Sequence, residues 1–108
     1  MKAADRKVYE SVAARSRGLC ESCMRNADEM DHFFGRAKGG TTVAIVWNLC
    51  RRCHREKTDN RPSAVRWLER FIRHCARHAN GLDAPLTDYF DAIDRASAMR
   101  KVKLQKFP

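Results

Sequence analysis

The sequence predicts a small α+β domain. Two short antiparallel strands and a helix are tied together by a four-cysteine zinc site, and this core is flanked by an N-terminal helix and by C-terminal helices. Three observations lead there. Two C-x-x-C pairs, Cys20-Glu21-Ser22-Cys23 and Cys50-Arg51-Arg52-Cys53, are separated by 26 residues. Between them, short apolar pieces alternate with turn residues; after them, apolar residues recur at helical spacing. A chain of 108 residues fits one domain, residues 1–108, with its core at about 19–60 and a helical extension at about 62–108. A core of that size gains from an external brace.

Each element follows from a local pattern. Residues 4–17 carry Val8 and Val12 four apart, with Gly18 placed to end a helix in the left-handed conformation. Turn signals at Asn26, Gly35 and Gly39-Gly40 bracket Glu29 to Phe34 and Thr41 to Trp47, which suit two short antiparallel strands. A helix is expected from near Cys50 to about Thr58. Pro62 suits the first turn of the next, whose apolar residues Val65, Leu68, Ile72, Cys75 and Ala79 lead to a stop at Gly81. His74 and His78, beside Trp67 and Phe71, fall at the edge of that apolar face and read as boundary packing. A last helix from Thr87 to about Lys103 would bury Tyr89, Phe90 and Ile93.

The charge narrows the function. With 22 Lys+Arg against 13 Asp+Glu, the formal charge of +9 favours polyanionic partners, nucleic acid before an anionic membrane surface. No apolar run has the length of a signal peptide or a membrane span, so the expected location is the cytoplasm, with no membrane partner. In a reducing compartment, cysteines more often bind metal than form disulfides.

Zinc takes four soft ligands in a tetrahedron, and a two-residue gap lets both thiolates of a pair reach one ion. Cys20, Cys23, Cys50 and Cys53 are therefore the expected structural zinc ligands. No βαβ pattern surrounds either pair, which disfavours a redox motif. Cys50 to His54 also reads C-x-x-C-H, but haem attachment requires export, so no haem is expected. Cys75, on an apolar helix face, reads as a small buried hydrophobe.

Asp31, His32 and His54 cluster around these knuckles. On a helix the step of about 100° per residue turns His54 away from the ion that Cys53 binds. Asp31 then offers a hard oxygen and His54 a nitrogen to a second, divalent ion with open positions for water and a phosphate oxygen. Adjacent strand residues point to opposite faces, so Asp31 and His32 can share a site only if the strand bends or ends there, as Gly35 suggests. Asp28 and Glu29 could also reach a metal, though solvated acids flanking a strand are the commoner case.

The order C-x-x-C, Asp-His, then Leu-Cys-x-x-Cys-His followed by Lys-Thr, from Cys20 to Thr58, covers about a third of the chain and resembles the HNH endonuclease family. The resemblance implies a ββα-metal fold and cleavage of double-stranded DNA. It implies that His32 is the general base, and that Asp31 and His54 hold a catalytic divalent ion such as magnesium, manganese or nickel. Small proteins of this type occur in phages and bacteria. The family's middle Asn stands five residues before the second cysteine pair, where this chain has Ile45; Asn48 is the displaced candidate for its loop-bracing role.

Around the site, Arg51, Arg52, Arg55 and Lys57 could hold the scissile strand. Arg66, Arg70, Arg73 and Arg77 form one helical stripe, readable either as a phosphate track or as a solvated face. From Arg95 to Pro108 there are five basic residues and no acid. The rival reading is a non-catalytic zinc module that binds nucleic acid or a protein, which would not need the Asp31, His32 and His54 set.

Overall fold

A computed structural model of the chain describes residues 2–35, 41–59, 64–81 and 83–105. Among the described residues there are four helices and a two-stranded antiparallel sheet: α1 (Ala3–Ser16), β1 (Glu29–His32), β2 (Val46–Leu49), α2 (Arg51–Asp59), α3 (Ala64–His78) and α4 (Leu86–Gln105). The expected turn at Gly39-Gly40 and the helix start at Pro62 lie outside the described residues. None of the described helices is long and apolar enough to cross a membrane.

Helix α1 ends one residue earlier than Gly18 suggested. Arg17 already adopts the left-handed conformation (φ 54°) and donates its N–H to the Ala13 carbonyl at 2.9 Å, and Gly18 (φ 74°) continues the turn. Strand β1 stops at His32, where Gly35, at φ 85°, donates back to the His32 carbonyl at 2.8 Å. The positive φ suits glycine, and the turn takes the chain away from the sheet just after the Asp-His pair.

The second strand is displaced from its expected place at 41–47. The Thr42 carbonyl accepts the N–H groups of Ile45 and Val46 at 3.2 and 3.1 Å, folding 42–45 into a turn. β2 therefore begins at Val46 and pairs Glu29 with Leu49, Met30 with Asn48, Asp31 with Trp47 and His32 with Val46. All four β2 residues are buried, so no polar-apolar alternation marks the strand's start.

Trp47 is the centre of the core. Its indole lies 5.4 Å from Phe71, 6.1 Å from Trp67, 5.3 Å from His74 and 5.8 Å from Phe33, and Phe33 stacks on Phe71 at 3.9 Å. These aromatics rotate the buried face of α3 away from the expected row. Trp67, Leu68, Phe71, His74 and Cys75 are buried, while Val65 and Ile72 are only half-buried. His74 is thus a core residue rather than a boundary one. On α4, Tyr89, Ala92 and Ala96 face inward; Phe90 is 50% exposed, because one step of about 100° from Tyr89 carries it off that face.

Candidate functional site

The four cysteines converge. Cys20 and Cys23 lie on the loop after α1, and Cys50 and Cys53 on the β2–α2 junction. Their four Sγ atoms all lie within 4.8 Å of one another, and Cys23 and Cys50 are separated by 3.7 Å. A tetrahedral ion with bonds of about 2.3 Å to sulfur sets its ligands roughly 3.8 Å apart, so the group can hold an ion such as zinc. The Cys23 N–H donates to Cys20 Sγ and the Cys53 N–H to Cys50 Sγ, each at 3.4 Å, which steadies the charge on the sulfurs. Burial opposes a thiolate at Cys50, but the bonds from the Cys53 backbone and the neighbouring cysteines outweigh it and lower the group to about 7. Cys75 stays apart, pointing at the Ala44 carbonyl, with burial pushing its thiol up to about 12.

Beyond the cysteines, Met30, Asp31, His32, Gly35 and His54 line an open cavity of about 300 Å³. Cys53 and His54 are consecutive on α2, yet His54 faces away from the sulfurs. Its Nε2 lies 3.3 Å from Asp31 Oδ1, and its Nδ1 is 3.0 Å from Glu29 Oε1. Asp31 sits on the same face as its cross-strand partner Trp47, whose indole N–H donates to Asp31 Oδ2 at 2.8 Å. Lys57, one helical turn after Cys53, places its ammonium 3.1 Å from Asp31 Oδ2 and 5.2 Å from the centre of the Phe33 ring. His32 is 7% exposed, and its Nε2 lies 3.4 Å from the Tyr9 hydroxyl and 3.3 Å from that of Thr41.

No family model, curated protein or solved structure matches the chain. The functional reading therefore rests on the residues themselves. Asp31, His32 and His54 come together as the spacing anticipates, at a strand that ends at His32. Asn48 does not line the cavity: its amide donates to Ser16 Oγ at 3.1 Å and the Ala27 carbonyl at 2.9 Å, bracing the chain that leads into β1. That is loop bracing, carried out on the other face of the sheet, because Asn48 pairs with Met30 and not with Asp31.

The basic residues divide into groups. Arg51, Arg52 and Arg55 are exposed on α2, whereas Lys57 is only 15% exposed and tied to Asp31. The α3 stripe is not uniform: Arg66 is ion-paired with Glu56, Arg70 lies 4.8 Å over the Trp67 ring, and Arg73 and Arg77 are exposed.

Three participants have little or no signal in the sequence. Glu29, which reads mainly as a solvated acid, is the partner of His54. Tyr9 reaches His32 from α1, 23 residues away. Arg15, one of several N-terminal basic residues, is buried: it donates to Glu21 Oε2 at 2.7 Å and Oε1 at 2.8 Å, to the carbonyls of Val43 and Val46 at 2.8 Å, and to the Tyr89 hydroxyl at 3.0 Å. Burial penalises its charge, but Glu21 overcomes this and holds its pKa above the usual arginine value.

Proposed function

We propose that the chain is a metal-dependent endonuclease of the HNH type, built on a ββα-metal core, that hydrolyses DNA phosphodiester bonds. The observation that carries the reading is the cavity in which Asp31, His32 and His54 meet, backed by the four-cysteine cluster. The donor set fits a divalent ion. Adjacent ligands of an octahedral ion with bonds of about 2.1 Å lie roughly 3 Å apart, against 3.3 Å between His54 Nε2 and Asp31 Oδ1.

Asp31 and His54 would hold magnesium, manganese or nickel, which when bound supplies Lewis acidity at the phosphate and the leaving oxygen. His32 accepts the proton of the attacking water, with the Tyr9 and Thr41 hydroxyls holding its ring. Glu29 accepts from His54 Nδ1, which fixes the tautomer and leaves Nε2 with its lone pair free for an ion shared with Asp31. Trp47 fixes the Asp31 carboxylate from the core. Arg51, Arg52 and Arg55 face the solvent on the helix that carries His54, where they can hold the phosphates flanking the cut.

One observation favours the rival, a zinc module that binds nucleic acid without cutting it: Lys57 already neutralises Asp31, which lowers the attraction of this corner for a cation. Plasmid nicking separates the two. The zinc-loaded protein should relax supercoiled DNA with magnesium, manganese or nickel and lose this on His32→Ala. If the parent binds DNA but cuts none with any of these ions, the module reading replaces the nuclease.

A further inference from the structure

Outside the cavity, α3 carries two histidines four residues apart. His74 is 2% exposed and packed between Trp47 and Phe71, and both its ring nitrogens are buried without a hydrogen-bond partner among the described residues. A buried polar group left so is destabilising unless something else satisfies it. His78, one turn on, lies with its ring centre 4.7 Å from that of His74 and is partly open to solvent. Both rings converge on Glu21, with His74 Nδ1 at 3.8 Å and His78 Nε2 at 3.7 Å from its Oε2. These distances are too long for hydrogen bonds. They are near the separation of about 3.3–3.4 Å that a tetrahedral ion sets between ligands bonded at roughly 2.0–2.1 Å.

We infer that Glu21, His74 and His78 form a further transition-metal site, distinct from the four cysteines and from the Asp31 cavity, that pins the first cysteine knuckle to the end of α3. One carboxylate oxygen and two imidazole nitrogens are a ligand set for zinc, cobalt or nickel rather than magnesium or calcium. Glu21 lies between Cys20 and Cys23, so an ion here would join the four-cysteine cluster to the helical extension.

The charge around the site permits a cation. Arg15 donates to Glu21, but only its Nε bonds Oε2, which keeps a lone pair, and a second carboxylate, that of Asp83, lies 3.5 Å from Arg15 Nη1. Glu21 and Asp83 thus balance the guanidiniums of Arg15 and Arg77, the latter exposed. Burial, helped by Arg15 and Arg77, lowers the pKa of both imidazoles, with Glu21 and Asp83 opposing it at His78. An arginine on a ligating carboxylate also orients it. His78, at the partly exposed end, gives an ion its way in.

The test uses the full chain carrying Asp31→Asn and His54→Ala, loaded with one equivalent of zinc to fill the cysteines, and titrated with cobalt(II). One further cobalt should bind, with visible bands far weaker than those of a thiolate site, and zinc should raise the Tm. Adding His78→Gln, a change at the partly open end of the helix, should weaken the binding at least tenfold and remove the Tm shift. The inference is overturned if the double variant binds no second ion, or if His78→Gln leaves the affinity unchanged. Should the triple variant not fold, the imidazole resonances of His74 and His78 in the double variant decide: displacement by one equivalent of cobalt supports the site, and unmoved resonances overturn it. The nuclease reading is untouched by either result, since its ligands are already removed.

Discussion

Two neighbouring regions of the molecule are built differently. In one, four like ligands close on a point, three of them buried, beside a network in which Arg15 bonds Glu21, Glu21 accepts from the Asn48 backbone and the Asn48 amide donates to Ser16 and Ala27. In the other, unlike groups line an open cavity, and the Asp31 carboxylate shares its oxygens among Trp47, Lys57 and His54. Four equivalent soft donors leave an ion no room for a substrate, whereas an open set of oxygen and nitrogen donors does. The contrast points to a division of labour between bracing and chemistry, drawn along one pair of strands.

The largest expected effect tests the bracing side. Purified protein should hold about one tightly bound zinc per chain, and a chelator strong enough to remove it, or Cys20→Ser with Cys50→Ser, should abolish the cooperative thermal transition of the core. A structural zinc in a small domain is worth on the order of 10 kcal/mol, comparable with the whole stability of such a chain. Zinc-free protein by elemental analysis, with an unchanged melt, would erase the contrast.

Next comes the chemistry. His32→Ala should retain zinc, fold and DNA binding while nicking falls about a hundred- to ten-thousand-fold, as for loss of a general base. Asp31→Asn, which keeps an acceptor for the Trp47 N–H, and His54→Ala should instead require more divalent metal, and high metal should partly restore them but not His32→Ala. Equal rescue of all three would remove the distinction between base and ligands. Lys57→Met is expected to move the other way, lowering several-fold the metal concentration for half-maximal cleavage, because it removes a cation 3.1 Å from Asp31.

A smaller effect separates the arginines by salt dependence. Neutralising Arg51, Arg52 and Arg55 should flatten the slope of log affinity against log salt by about 0.9 for each phosphate no longer neutralised. Neutralising Arg66 and Arg70, which are engaged by Glu56 and Trp67, should change it less. A steeper fall from the second pair would put the DNA along α3.

The smallest concerns pH. His74 and His78 have lowered pKa values in the fold, chiefly from burial, with the Arg15 charge adding to it. The unfolded chain therefore takes up protons first as pH falls below about 6.5, and stability should decline from there downward, with no contribution from these groups above it. His78→Gln should shallow that decline, read as denaturation midpoints between pH 7 and 5; an identical slope would mean His78 titrates alike in both states.

Much of this arrangement is legible in the sequence because it is local. The cysteine spacing, the helical step from Cys53 to His54 and the glycine after the Asp-His pair each act over a few residues, and each appears where expected. What stays hidden depends on distant parts of the chain. Arg15 looks like any surface arginine until Val43, Val46 and Glu21 are folded around it, 6 to 31 residues away. β2 starts later than the pattern implies because Thr42 spends its carbonyl on a turn, and the buried face of α3 is rotated because Trp47 and Phe33 draw Trp67, Phe71 and His74 inward. Asn48 stands three residues after the expected position, Ile45, and faces away from Asp31 because it pairs with Met30 and the face reverses with each residue along a strand.

The bond from Trp47 to Asp31 also gives the molecule an optical handle. The chain has two tryptophans, and the indole N–H of one is hydrogen-bonded to the Asp31 carboxylate that lines the cavity. Indole emission responds to the charge at that nitrogen, so in a Trp67→Phe background the fluorescence of Trp47 alone would report an ion arriving at Asp31, or Lys57 leaving it. The occupancy of the cavity could then be followed in real time, without DNA and without turnover.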